Sequence, residues 1–313
     1  MERKSELAER LKPLRALDNV TNLRCIAREY LTLVAAIVPA ILVCEAWIRG
    51  SLPLAIVIPV VALAVLVIGS CQHRLGGLGH EASHFILLKN RRWNELVSDW
   101  FCMFPVLMTT EFYRQVHLGH HAHTNDWERD PELINLGETR RMADFPLPLS
   151  EFVRSFVLPP LAPKRFFAYL HDNLCVNMLG IARHPYMMPE DSARVGRFAP
   201  LRPSTVLGIG YLALMVGVVF YLTWNSSLTA VITVPIAMWA AASVVTYLLP
   251  ERWMFRSQLK PGVSTRLVSV LRLGWFTAVV TGIAIAENTT GRAWAGYFWL
   301  LWVLPLATVL PYF

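Results

Sequence analysis

The sequence predicts an all-α, polytopic membrane protein with about six transmembrane helices in three hairpins and a cytoplasmic cap that carries two histidine clusters. The chain has 313 residues, of which 55% are hydrophobic and 16% are charged. An ordinary soluble domain is roughly 45–50% apolar and about 25% charged. The apolar residues are gathered in six runs, and a spanning helix needs about 20 such residues. Composition and run length together predict a membrane protein.

The six runs form three pairs, and each pair is joined by a short connection. We predict spans at residues 30–48, 52–71, 205–222, 228–249, 267–286 and 294–313. The hairpins then cover 30–71, 204–249 and 266–313, and residues 1–29 precede the first one. The segment 72–203 is the only part between hairpins that is large enough to form a functional cap. The whole chain, 1–313, is predicted to be one membrane domain.

Positive charge predicts the orientation of these spans. All but two of the 29 Lys and Arg residues lie outside the short connections, and the two exceptions are Arg49 and Arg292. Cytoplasmic segments of membrane proteins are enriched in Lys and Arg. Both termini and the cap are therefore expected in the cytoplasm. The net charge of +7 is then a topology signal, and we expect no nucleic-acid partner.

Two histidine clusters lie in the predicted cap. His80 and His84 form the first, and His117, His120 and His121 form the second. Residues three and four apart share one face of a helix, so two helices can present five imidazoles to a common centre. Neutral imidazole is a common ligand of transition metals. These five histidines are therefore predicted to bind metal.

The other four histidines are weaker candidates. His123 points about 240° away from the first histidine of its cluster on an ideal helix. Three glycines separate His73 from the first cluster, and His171 and His184 have no paired histidine at ligand spacing. We expect His123 to support a ligand or to lie on the surface, and His73 to lie at the membrane interface. For His171 and His184 a role as additional ligands is the weaker alternative. Among nearby carboxylates, Asp130 is expected to orient a ligating imidazole, and Glu81 stays open between that role and a solvated charge.

Local signals predict how the cap meets the membrane. Three glycines are expected to let the chain leave the bilayer and turn before His80. These are Gly76, Gly77 and Gly79. Apolar residues repeating at three or four between Trp93 and Phe104 predict an interfacial helix, with packing against the spans as the equal alternative. A second interfacial element is predicted over 145–170, with the same alternative, and it cannot be one continuous helix because prolines interrupt it. They are Pro159, Pro160 and Pro163.

The two clusters resemble the first two histidine boxes of the membrane fatty acid desaturases and their hydroxylase relatives. The matching segments are His80-Glu-Ala-Ser-His84 and His117-Leu-Gly-His-His-Ala-His-Thr-Asn-Asp-Trp-Glu-Arg-Asp-Pro-Glu132. The likeness covers residues 79–132 at the level of motifs, and the hairpin arrangement over most of the chain. It implies that the five histidines are ligands of two iron ions. It also implies an oxidoreductase that uses dioxygen to introduce a double bond into a fatty acyl chain of a membrane lipid.

The same resemblance implies that electrons come from a separate electron-transfer protein, ferredoxin-like or similar. The sequence has no dinucleotide-binding glycine fingerprint, which agrees with a reductant delivered by a partner. Removing hydrogen from an unactivated methylene is chemistry that a cofactor must carry. The sequence leaves open the chain length of the substrate, the carbon attacked and the oligomeric state.

One departure from the family pattern is a missing third box. The family completes its site with His-x-x-His-His after the last spans, whereas the nine histidines here all occur at or before His184. Six spans would return the chain to the cytoplasm near Phe313, where a third box would begin. We therefore expect a truncated member or a fragment, with an incomplete two-iron site that binds metal poorly.

Three other functions stay open. A hydroxylase, ketolase or alkane monooxygenase has the same boxes, and differs in details of geometry that no motif records. The segment from His80 to His84 also fits His-Glu-x-x-His, the pattern of zinc proteases, although that pattern leaves the second cluster unexplained. An inactive membrane scaffold is the third alternative.

Overall fold

The computed structural model describes residues 16–126, 128–131, 146–158, 161–171, 173–174, 178, 203–250, 253–254 and 263–310. In chain order the helices are α1 (Asn19–Ile48), α2 (Leu54–Ser83), α3 (Arg91–Ser98), α4 (Thr110–His123), α5 (Leu149–Phe152), α6 (Pro163–His171), α7 (Pro203–Asn225), α8 (Leu228–Leu248), α9 (Thr265–Thr290), α10 (Trp294–Phe298) and α11 (Leu304–Thr308). None of the residues in the described ranges lies in a strand. The helices α1, α2, α7, α8 and α9 are long and apolar enough to cross a membrane. The predicted class, an all-α polytopic membrane protein, is confirmed.

Helix α2 runs without a break through the three glycines for which the sequence predicts a turn. The second span and the first histidine cluster therefore share one helix. The predicted turn is wrong, because a glycine inside a helix costs only about 1 kcal/mol relative to alanine. That cost is too small to end a helix that packs along α1 over most of its length.

The ends of two other predicted spans also differ from the structure. Helix α1 begins eleven residues before the predicted span, at Asn19, where Asp18 accepts a hydrogen bond from Val20 N (2.9 Å). The sixth predicted span, 294–313, corresponds to a shorter apolar segment, Trp294–Thr308. A π-helical turn at Trp299–Val303 joins its two helices, α10 and α11. Residues 311–313 lie outside the described ranges.

Helices α1 and α2 pack against each other and set the position of the first histidine cluster. Their contact face holds a core that includes Leu33, Ile68 and Leu75. Nearer to the histidines, Arg74 Nε donates to Glu29 Oε2 at 2.6 Å, which ties the two helices together by an ion pair. The outward faces carry large exposed apolar side chains, as membrane-spanning helices require. They include Leu31, Leu42, Ile58 and Leu63.

Helices α7, α8 and α9 form a second group. Trp239 Nε1 of α8 donates to the backbone oxygen of Val270 on α9 at 3.0 Å. Asn288 Nδ2 of α9 donates to the backbone oxygen of Thr223 on α7 at 2.9 Å. The start of α9 also reaches the cap, because Thr265 Oγ1 lies 3.3 Å from an oxygen of Glu111 on α4. The second helix group is thus joined directly to the helix that carries the second histidine cluster.

The segment predicted as the first interfacial helix is helical but only partly exposed. Helix α3 continues through a π-helical turn at Asp99–Met103 and a 3-10 turn at Phe104–Val106. Phe104 is fully buried against Trp275 of α9, whereas Trp93 and Phe101 are exposed. Packing therefore accounts for its C-terminal half. The Pro-rich segment is divided as predicted, since α5 and α6 are separate helices and α6 begins at Pro163.

Candidate metal centre

The first histidine cluster lies at the C-terminal end of α2. His80 is in the last turn of the helix, and His84 is the residue that caps it. The two rings lie on the same side because they are four residues apart, and their centroids are separated by 5.0 Å. Both residues are half-buried. The end of a membrane-spanning helix therefore presents two imidazoles side by side.

The second cluster lies on α4, and the start of that helix is fixed by a buried carboxyl group. Asp99 Oδ1 accepts a hydrogen bond from Thr110 N, the first residue of the helix, at 2.7 Å. An acceptor at this position satisfies one of the free N–H groups of the first turn. Further along α4, His117 and His121 lie one turn apart, with 2.9 Å between their Nε2 atoms. This second pair of imidazoles is therefore held by a helix whose register is set at its start.

The two clusters meet. His84 Nε2 lies 3.1 Å from His117 Nε2, and the ring centroids of His80 and His117 are 4.4 Å apart. One ligand atom from each of His80, His84, His117 and His121 lies within 4.8 Å of the other three. Nitrogen ligands that bind one ion at about 2.1 Å are separated by about 3–4 Å. The four histidines therefore have the spacing and the donor chemistry of a metal site.

His120, the fifth predicted ligand, lies beside this group and not within it. Its ring centroid is 6.2 Å from that of His117 and 5.9 Å from that of His121. Its Nδ1 is 2.9 Å from both carboxylate oxygens of the buried Asp130. The structure thus brings four of the five predicted ligands together, and a ligand role for His120 stays a prediction.

Carboxylate oxygens lie within hydrogen-bond distance of Nδ1 in two of the five predicted ligands, His80 and His120. Besides the Asp130 contact, His80 Nδ1 lies 2.9 Å from Glu81 Oε1. A carboxylate that accepts the Nδ1 proton leaves Nε2 as the free nitrogen and fixes the orientation of the ring. Asp130 is itself held in place, since it also accepts a hydrogen bond from Asn125 N at 3.1 Å. Both carboxylates therefore lie where a metal-binding histidine ordinarily has its supporting partner.

The surroundings of His84 and His117 favour the neutral form of their imidazole rings. Burial, and then the neighbouring histidines, lower the pKa of His117 to about 4. Burial also lowers the pKa of His84, with further contributions from His80 and His121. A histidine must be neutral to bind a metal ion. At pH 7 the two central rings, His84 and His117, are therefore ready to act as ligands.

Comparison with known proteins decides the family. A family model described as "Fatty acid desaturase" matches residues 55–282. The chain belongs to the fatty acid desaturase family. The matched range begins at the start of α2 and ends within α9, so it contains both histidine clusters and the buried contacts between α4 and α9. A fatty acid desaturase-like oxidoreductase is the function that this membership supports.

One curated relative in this family is the dihydrorhizobitoxine desaturase of Bradyrhizobium elkanii. It is 33% identical over 129 residues, which is 41% of this chain and 33% of the relative. The match thus covers about a third of the length of that desaturase. No solved structure matches the chain.

The structure does not favour the zinc-protease alternative. His80 and His84 meet two further histidines from α4, which the His-Glu-x-x-His pattern leaves out. The glutamate of the pattern, Glu81, lies against His80 Nδ1. Both observations agree with the resemblance to the desaturase boxes, which implies that the two clusters contribute to one centre.

Sequence reasoning missed a group of buried charged residues behind the histidines. Arg114 and Glu95 are both buried and form an ion pair between α4 and α3. Burial raises the pKa of Asp99 to about 7 and also that of Glu111 to about 7. The sequence signal for this group is residue spacing. Glu111 and Arg114 are three residues apart and share one helix face, and Glu95 and Asp99 are four apart and share another. This signal is easily missed, because charged residues are ordinarily expected to be exposed to solvent.

One tyrosine and three other histidines near the clusters or later in the chain are also described. Tyr113 stacks on His117, with 5.3 Å between ring centroids and 12° between ring planes. His73, His123 and His171 are described but are not part of the four-histidine group. Glu132, the last residue of the second motif, and His184 lie outside the described residues.

An apolar groove of about 1200 Å³ runs along the outside of α2 and the segment Trp294–Thr308. Its lining includes Leu54, Val65 and Leu300, and ends near Arg292. No histidine of either cluster lines it. The groove is therefore a membrane-facing surface separate from the histidine group.

Proposed function

We propose that the chain is a membrane di-iron oxidoreductase that introduces a double bond into a fatty acyl chain, using dioxygen and electrons from a separate carrier. The observation that carries this proposal is the convergence of His80, His84, His117 and His121 at the end of a membrane-spanning helix. Family membership supports it. The chemistry of the donors also supports it, since imidazole is a good ligand for iron.

The residues present fit the group that the family implies. His80, His84, His117 and His121 would hold iron, and His120 would add a ligand for the second iron from the adjacent side of α4. Bound iron supplies the oxidising power to remove hydrogen from an unactivated methylene, which no side chain provides. Two irons need more ligands than these five histidines, so we propose that the five form part of a two-iron site.

Two carboxylates of the chain orient the imidazoles that would bind the metal. Glu81 and Asp130 hold the Nδ1 protons of His80 and His120, which directs Nε2 of each ring toward the metal side. Because α2 is both a membrane span and the carrier of His80, the methylene to be oxidised has to reach the end of that helix at the membrane boundary. Overall, two hydrogens leave adjacent carbons, one dioxygen accepts them with two electrons and two protons, and two water molecules form.

The relative's name bears on the type of reaction and on the substrate. A protein named as a desaturase, with similarity over 129 residues, favours double-bond formation over hydroxylation. Its named substrate is dihydrorhizobitoxine, so family membership alone does not require a simple fatty acid. We propose an acyl chain because the histidines lie at the end of apolar membrane-spanning helices.

We also propose that the histidines and both termini lie on the cytoplasmic side. Arg49 and Arg292, the two positive residues of the short connections, both approach Glu45, at 3.5 and 3.4 Å. Their charge is partly neutralised on that side, which leaves the positive excess with the cap and favours the same orientation.

The test is product analysis. The chain is expressed in a bacterial host, and the lipids are compared with those of cells that express His84→Ala or His123→Ala. The second variant is a matched control, because His123 lies on α4 but outside the four-histidine group. We expect a low yield of a new double bond with the original chain, in line with a two-iron site that lacks the third box, a similar yield with His123→Ala, and none with His84→Ala. Hydroxylated or keto products without new double bonds would replace this proposal with the hydroxylase alternative.

A further inference from the structure

The side chain of Arg114 joins the helices that carry the two histidine clusters. It belongs to α4, one turn before His117, yet it reaches across to the end of α2. Its Nε donates to the backbone oxygen of Ser83 at 2.7 Å, and one terminal nitrogen donates to that of Ala82 at 3.0 Å. The same terminal nitrogen is paired with Glu95. All of these contacts are buried.

The carbonyl groups that Arg114 contacts lie in the last turn of α2, and that of Ala82 also accepts a hydrogen bond from Phe85 N, just beyond the helix, at 3.0 Å. The last four carbonyls of a helix have no partner within it, and a positive charge near them is favourable. Ala82 and Ser83 are in the final turn of α2, directly before His84. Asn94 of α3 assists, since its Nδ2 donates to the oxygen of Ala82 at 2.9 Å. The end of the first histidine cluster is thus held by side chains from α3 and α4.

The turn after His84 is shaped around the same guanidinium. Phe85 has φ 60°, a left-handed conformation that costs energy for a residue with a side chain. Its ring lies 3.9 Å from the Arg114 guanidinium carbon and 4.6 Å from that of Arg91. Cation–π contacts of this kind stabilise the ring in that position. The strained turn is therefore held by contacts that depend on Arg114.

The imidazoles need such support. Neutral rings have no net charge to attract one another, and bringing them together removes water from their nitrogens. His84 and His117 nevertheless lie with Nε2 atoms 3.1 Å apart. Arg114 of α4 donates two hydrogen bonds to the end of α2, at Ala82 and Ser83. These bonds hold the two helices together without involving the histidines.

We propose that Arg114 is a positioning residue that holds the end of α2 against α4, so that the four imidazoles converge before a metal ion binds. The expected consequence of this positioning, tighter metal binding, rests on the proposed function. Residues that support metal ligands typically change metal affinity by about 10–100-fold when they are replaced. Lysine keeps the charge of Arg114 but has no planar fork for two carbonyl groups.

The test compares the full chain in detergent with Arg114→Lys and Arg114→Gln, using Co²⁺ and Fe²⁺ alone as probes. We expect both variants to bind each ion about 10–100-fold more weakly than the original chain. Arg292→Gln is the control, because it removes a guanidinium–carboxylate contact, that with Glu45 (3.4 Å), at the end of α1 far from the histidines. That control should keep its metal affinity. Equal affinity in the original chain and in Arg114→Lys overturns the proposal.

A second measurement needs no metal. Hydrogen exchange of the metal-free protein reports on the turn 85–88, where Phe85 N donates to Ala82 O and Ile86 N to Glu81 O. We expect faster exchange there in Arg114→Lys than in Arg292→Gln. If Arg114→Gln does not fold, Glu95→Gln takes its place and should show a smaller change in the same direction.

The two measurements separate the possible failures. If the original chain binds neither ion, the proposed function fails, and faster exchange in Arg114→Lys still supports the contact between the helices. If the original chain binds metal but exchange at 85–88 and affinity are unchanged in Arg114→Lys, the positioning role is wrong and the proposed function stands.

Discussion

His84 and His117 are 33 residues apart in the sequence, and their Nε2 atoms lie 3.1 Å apart. One is the residue that ends a membrane-spanning helix, and the other lies on a buried face of a separate helix in the cap. A distance this short between two imidazole nitrogens is typical of ligands that share one ion. The contact places the candidate metal centre at the junction of membrane and cap.

The glycines of α2 provide a test of local packing. A Cβ on Gly79 would overlap the Met103 sulfur and lie 2.9 Å from its Cγ, whereas a Cβ on Gly77 meets nothing within 4 Å. We expect Gly79→Ala to destabilise the protein by about 1–3 kcal/mol and to displace His80. Gly77→Ala should stabilise it by about 0.5–1 kcal/mol, because alanine is the better helix former. Thermal unfolding and metal content measure both effects.

A combined variant checks that explanation. Gly79→Ala together with Met103→Ala removes the overlapping atoms, and should recover metal content that Gly79→Ala loses. Recovery would not follow if Gly79 were needed for backbone flexibility, because the double variant would still lack the glycine.

Asp130 is predicted to set the tautomer of His120. In Asp130→Asn the amide can present N–H groups to His120 Nδ1, which moves the ring proton to Nε2 and removes that nitrogen as a ligand. We expect activity to fall by about 10–100-fold, measured as product formed per chain. Asp126→Asn is the control, since the side chain of Asp126 instead pairs with Arg129 (2.7 Å) on the surface. Equal activity in the two variants would remove His120 from the centre.

The histidine group was predictable because its spacing depends on local helix geometry. His80 with His84, and His117 with His121, share a face at four residues whatever surrounds them. His120 also follows that spacing, but it lies about 60° around the helix from His117, and the structure shows it bound to Asp130. Residue spacing alone does not determine whether His121 or His120, which point in neighbouring directions from α4, faces α2.

The contacts between helices were not predictable in the same way. No sequence motif marks Arg114, and its partners are the backbone oxygens of Ala82 and Ser83, whose contacts do not depend on side-chain type. The continuous α2 was also missed, because the cost of its glycines is small beside the packing along α1, which the sequence does not display. Tertiary contacts decide both features.

The metal-free protein is predicted to lose stability on acidification through His117. Its folded pKa of about 4 lies below the ordinary value of 6.5, so between these values the unfolded chain binds a proton that the folded chain does not. Stability is then present above about pH 6.5 and is lost as the pH falls toward 4, by up to about 1.4 kcal/mol per pH unit. Unfolding midpoints of the chain and of His117→Asn, with chelator present, measure this. A difference between them that does not change with pH would contradict it.

Asp99 is predicted to act in the opposite direction. Burial raises its pKa from 3.8 to about 7, so the folded protein keeps a proton that the unfolded chain has released. This contribution is full below about pH 4 and is lost as the pH rises to about 7. Asp99→Asn keeps an oxygen to accept the hydrogen bond from Thr110 N but cannot ionise. We expect its stability, relative to the original chain, to improve between pH 4 and 7, as measured by unfolding in the presence of chelator.

The central claim is that imidazoles from both clusters bind the same iron centre. X-ray absorption spectroscopy of the iron-loaded chain tests it most directly, together with iron content per chain in His84→Ala, His117→Ala and the control His123→Ala. We predict imidazole nitrogen scattering at about 2.1 Å, lost iron in both of the first two variants, and unchanged iron in the control. Iron retained in full by either His84→Ala or His117→Ala, with the same spectrum, would contradict the account.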